Sequence, residues 1–74
     1  MAENYIDTIV KKLYKLLKHP DIKKEVVAKS IGVTRVMLWK YSKGKSVTTE
    51  SSIKKVEDAI RVIENKLSET SIGL

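Results

Sequence analysis

Arg35, Trp39 and Lys43 recur at four-residue steps, and Val36 and Lys40 form the row beside them. On a helix, residues at this spacing stack one above another on a single face. That face carries a guanidinium fork, two ammonium groups, an indole and an isopropyl group. Its chemistry is hydrogen-bond donation, positive charge and apolar contact. It holds no activated nucleophile, and the rest of the chain supplies no acid–base pair or nucleophile system. There is one histidine and no cysteine. The carboxylates Asp7, Asp21, Glu25, Glu57, Asp58 and Glu64 are scattered as caps and surface charges. No acid–base pair, activated nucleophile or ordinary zinc cluster can be assembled from this set. Gly32 and Gly44 stand alone, so there is no glycine-rich phosphate loop either. The chain is expected to be no enzyme and to need no cofactor, metal or small-molecule substrate.

A donor-rich face suits a polyanion, and the charge balance points the same way. Fifteen basic side chains stand against nine acidic ones, a net +6. Residues 1–45 carry eleven basic and four acidic side chains, which is +7. Residues 46–74 carry four and five, which is −1. A basic front and a near-neutral back imply one surface for a polyanion and another for packing. A lysine-rich surface serving only solubility is the plainer alternative. No apolar stretch approaches the ~20 residues that span a bilayer. The absence of cysteine is in keeping with a cytoplasmic or nucleoid setting.

Seventy-four residues make one domain, 1–74, with no disulfide to staple it. Its stability must come from tight helix packing, a partner subunit or both. Apolar period and punctuation predict four helices and no strand. The first runs from about Asn4 to Lys18, with apolar residues from Tyr5 to Leu17 on one half of the wheel and Lys11, Lys12, Lys15 and Lys18 on the other. His19-Pro20 ends it. The second is expected from about Ile22 to Ile31 with Asp21 as N-cap, closed by Gly32. The third is expected from about Thr34, its N-cap, to Lys43, closed by Gly44. The fourth is expected from about 49 to 68, leaving a frayed tail, 69–74, in which Ile72 and Leu74 have apolar side chains to pack.

The middle pair forms a compact corner. Ala28 is small enough for two helix axes to approach closely. Gly32 makes the turn, Val33 plugs it, and Leu38 and Tyr41 pack back onto Val27, Ala28 and Ile31. The spacing of these residues over 24–44 resembles the Cro and lambda-repressor type of helix-turn-helix regulator. Ala28 matches that family's small residue, Gly32 its turn glycine, Leu38 and Tyr41 its buried recognition-helix positions, and Gly44 its closing glycine. The lactose-repressor headpiece shares much of the pattern, but there the corner begins near the N-terminus; the helix ahead of it here favours the Cro-repressor type. Lys24 departs from the family, which often has a glutamine there to hold a phosphate. A lysine makes that contact as a point charge.

The resemblance implies an all-α, four-helix, lambda-repressor-like domain that binds double-stranded DNA in a sequence-specific way. It implies a transcriptional regulator, a repressor by preference, with the helix 34–43 in the major groove. Thr34, Arg35, Val36, Trp39 and Lys40 then meet bases. Arg35 suits guanine O6 and N7, and Val36 a thymine methyl. Trp39 is either a groove contact or a half-buried brace against the first helix, and Met37 is packing. Lys24 and the start of the second helix are expected on one phosphate strand, and Lys43, Gly44, Lys45 and Ser46 on the other. The fourth helix offers a heptad seam of Ile53, Val56, Ile60, Ile63 and Leu67, widened by Ala59 and Val62. It predicts a homodimer through Ala59, Ile60, Val62, Ile63 and Leu67; packing of the whole seam on the first helix is the alternative. Two other functions compete. One is a protein-interaction module of the antitoxin kind. The other is a membrane-surface binder using the basic amphipathic first helix.

Overall fold

The computed structural model describes residues 4–72, and side chains as far as residue 68. Four helices follow one another, with no strand among the described residues: α1 (Tyr5–Leu17), α2 (Lys24–Ile31), α3 (Arg35–Ser42) and α4 (Glu50–Ile72). Asn4 starts α1 by accepting from the Ile6 amide at 2.8 Å, and Asp7 in the first turn complements the helix dipole. The stripe Ile9, Leu13 and Leu17 is buried.

The expected N-terminus of the second helix is corrected. Residues 19–22 form a turn in which the Ile22 amide donates to the His19 carbonyl at 3.1 Å and the Asp21 amide donates to His19 Nδ1 at 3.2 Å. Asp21 is consumed in that turn and caps nothing. Ile22 drops its side chain into the core instead of opening a helix. Helix α2 therefore begins at Lys24, with Lys23 at the N-cap and no side-chain cap bond.

Gly32 closes α2 at φ 75°. The Val33 amide reaches back to the Ala28 carbonyl at 3.0 Å, the long bond of a Schellman turn. From across the domain, Lys55 Nζ donates to the Ile31 carbonyl at 2.7 Å, placing positive charge on the C-terminal end of α2. Thr34 is the N-cap of α3, as its position in the sequence implies: its Oγ1 accepts from the Met37 amide at 3.1 Å. Thr49 and Ser52 cap α4 reciprocally. The Ser52 amide donates to Thr49 Oγ1 at 3.2 Å and the Thr49 amide to Ser52 Oγ at 3.0 Å, a capping box with serine in the usual place of glutamate. Helix α4 continues past the expected end near residue 68 to Ile72; Leu74 and the side chains of 69–72 lie outside the described residues.

One core joins all four helices. Leu13, Val27, Leu38, Val56 and Ile63 have almost no exposed surface, and Val47 of the loop before α4 is buried with them. Helix α4 lies against α1 and α2, and α3 packs on the same two helices with a smaller contact on α4. The edge of the α1–α4 contact is tied by Lys12 to Glu64 at 2.9 Å and by the Tyr5 hydroxyl donating to Glu57.

This packing corrects the subunit seam read from α4. Ala59, Ile60 and Ile63 are buried inside their own chain, as is Val56. They have almost no surface left for a second copy, because α1 and α2 pack over α4. Val62 and Leu67 are only partly covered and lie at the margin of the core. Replacing Ile63 by alanine is expected to lower unfolding stability by ~2–5 kcal/mol. Denaturant titration should give the same loss at low and high protein concentration. A loss that grows on dilution would mean that Ile63 lies between subunits instead.

Candidate nucleic-acid interface

Helix α3 divides cleanly into an inner and an outer side. Leu38 and Tyr41 face the core, and Ser42 is buried with its hydroxyl donated to the Trp39 carbonyl at 2.7 Å. Thr34, Arg35, Val36, Trp39 and Lys40 are all exposed. Val36 retains 63% of its surface and Trp39 47%. These are large fractions for apolar side chains in a domain that buries fourteen others among its described residues. Met37 is partly buried against the core, which is the packing role its position suggests.

Trp39 takes a place between the two roles open to it. Its ring borders a groove of about 730 Å³ between the start of α2 and α3, lined by Ile22, Lys23, Lys24, Glu25, Arg35 and Val36. Its other edge borders a smaller pocket shared with Tyr14 and Leu17 of α1. The indole thus shares a pocket with α1 while nearly half of it stays open. Arg35 lies at the mouth of the larger groove, with Nη1 3.9 Å from Glu25 Oε1. Both side chains are mostly exposed, so the pair is loose and leaves the fork free to exchange partners.

The basic residues fall into a different grouping from the one expected. Lys24 and Lys43 do not flank the corner from two sides. Both line the smaller pocket, of about 170 Å³, with Tyr14, Leu17, Lys18, Trp39 and Ser42. Lys24 and Lys43 therefore share one pocket rather than two separate flanks. Lys43 Nζ lies 4.6 Å from the Tyr14 ring centre and 5.5 Å from the Trp39 ring. Lys18 Nζ lies 4.4 Å from the Tyr14 ring.

Gly44 is also reassigned. It has no side chain, and its amide donates to the Tyr41 carbonyl at 3.0 Å. The Lys45 amide donates to the Lys40 carbonyl at 2.9 Å. Both amides are spent in closing α3, and the left-handed backbone of Gly44, φ 80°, makes that closure possible. Gly44 thus serves to close α3, while the Lys45 side chain is exposed. Ser46 is exposed and also left-handed, at φ 64°. That turn, costly for a residue with a side chain, leads the chain into buried Val47.

Tyr14 and Lys18 belong to this surface and were not singled out from the sequence. Tyr14 sits at the border of the α1 stripe, where the helical wheel gives it equally to core or surface. Only the docking of α3 brings Lys43 onto it. Comparison with family models, curated proteins and solved structures returns no match. The class is therefore set by the geometry alone: a small all-α domain of four helices, with α2 and α3 meeting at the Gly32 turn.

The phenol of Tyr14 is held below its ordinary pKa. A hydrogen bond from Lys18 is the main cause, followed by the positive charges of Lys18 and Lys43. Tyr5 is pushed the other way by its hydrogen bond to Glu57. In a titration followed by tyrosine ring-carbon resonances, Tyr14 should therefore ionise before Tyr5. Folding stability from Tyr14 then grows as pH rises from its lowered native value toward ~10, because the unfolded chain still holds the proton there. Lys18→Gln should move Tyr14 back toward its ordinary value. An unchanged titration in that variant would mean that Lys18 does not hold the phenol.

Proposed function

We propose that the chain is a sequence-specific double-stranded DNA-binding regulator of the helix-turn-helix kind, with α3 as the helix that enters the major groove. The observation that carries this reading is the exposed, mixed face of α3. A cationic fork, an ammonium group, an isopropyl group and half an indole share one side of a helix whose other side is anchored in the core. A helix of this width fits the major groove, and base edges there present guanine acceptors and thymine methyls to such groups. The +7 of residues 1–45 supplies the charge for the phosphate backbone.

The membrane-surface reading loses its support. Its apolar stripe, Ile9, Leu13 and Leu17, is part of the core. Repression, by occupying a promoter, is the regulatory mode we favour. Two copies on a two-fold operator, half-sites ~34 Å apart, complete the proposal. Of the α4 residues first assigned to the subunit contact, Val62 and Leu67 are those with surface to contribute. Val62→Glu should convert a sedimenting dimer into a folded monomer with weaker operator binding. A parent that stays monomeric while binding a half-site tightly would remove the dimer from the account.

The direct experiment is selection of bound duplexes from a random pool, followed by titration on the enriched sequence. Affinity should fall steeply with salt, with a log–log slope of about −0.9 per phosphate neutralised. Arg35→Ala should cost ~1–3 kcal/mol on the selected site and relax one base position. Lys45→Ala should weaken all sequences alike and lower the slope by about one unit. No enrichment, with binding to a protein partner instead, would replace this reading by the interaction-module one. Equal loss on selected and random duplex for Arg35→Ala would make Arg35 a backbone contact.

A further inference from the structure

Three lysines from the ends of three helices line one shallow pocket. Lys18 closes α1, Lys24 opens α2 and Lys43 follows α3. Two of them lie 4.4 and 4.6 Å from the same Tyr14 ring. Like charges gathered in this way repel one another, and the ring face offsets only part of the cost. Three cations elsewhere do have a carboxylate beside them: Lys12 has Glu64, Arg35 loosely Glu25, and Arg61 Asp58. Among the described residues, no carboxylate lies within ion-pair distance of Lys18, Lys24 or Lys43, and none lines the pocket.

We propose that this pocket, built by Tyr14, Lys18, Lys24 and Lys43, is an anion seat for a single DNA backbone phosphate, and that α1 is therefore part of the DNA grip as well as of the core. The proposal rests on the DNA-binding reading and adds a site to it. The occupant follows from position and charge. The pocket shares Trp39 and Lys24 with the groove bordered by Arg35 and Val36. A duplex meeting that face with its bases brings its backbone alongside. At about 170 Å³ the pocket has room for a phosphate group. The Tyr14 hydroxyl and three ammonium groups are all donors to such an oxyanion. The seat also gives Tyr14 a signature. A phosphate beside the phenol adds negative charge where the lysines alone stood, so its ionisation is driven upward on binding.

The test uses the full chain and its selected duplex. Single phosphates are replaced, one at a time, by neutral methylphosphonates. One position should weaken binding by the parent but have no further effect on Lys18→Gln or Lys43→Gln. Each of these exposed-site variants should lower the log–log salt slope by about one unit while keeping the base preference of the parent. Tyr14→Phe should weaken binding less than the lysine variants do, since it removes one neutral donor. The Tyr14 ring-carbon titration should shift to higher pH in the complex. If the parent binds its duplex but Lys18→Gln leaves affinity, salt slope and the methylphosphonate profile unchanged, the seat is overturned while the DNA-binding reading stands. Tyr14 titrating identically with and without duplex would also overturn it. Absence of duplex binding by the parent overturns the seat and the reading together.

Discussion

The rotation of α3 about its own axis is set by two side chains. Leu38 has no exposed surface and Tyr41 very little, and they lie three residues apart, nearly one turn. With both held in the core, Arg35, Val36, Trp39 and Lys40 are forced outward. An eight-residue helix has no stability of its own. It exists here because Thr34 caps its start, the Gly44 turn closes its end and the core grips the side between. The orientation of the outer face depends on that grip.

The grip depends in turn on α1 and α4. Each offers a wide apolar arc, and each covers the other. Leu13 on one and Val56, Ala59 and Ile63 on the other are fully enclosed. This mutual cover gives a disulfide-free chain of 74 residues an interior at all. It also explains why α4 has few apolar side chains left over: what resembled a seam between subunits is half of the monomer core.

Local punctuation was legible in the sequence, and partnership was not. Thr34, Gly32 and Gly44 announce helix ends through short-range chemistry, and the structure places them there. Asp21 looked equally suited to a cap, but Pro20 and the His19 carbonyl draw it into a turn. Periodicity shows that Val56, Ala59, Ile60 and Ile63 share a face. It does not show which surface covers them, and the same limit applied to Tyr14. The pairing of Lys24 with Lys43 was out of reach for a similar reason, since it depends on how α1, α2 and α3 converge in space. Val47 carried no periodic signal, because it is a single buried residue in a loop.

The central claim is that the outer face of α3 enters the major groove of a specific duplex. Amide and methyl resonances followed during titration with the selected duplex test it most directly. The account predicts that the largest changes fall on residues 34–40, the start of α2 and the α1–α3 pocket, with contacts between the Val36 methyls and base protons. Changes concentrated on α4, or contacts from α3 to no base at all, would contradict it.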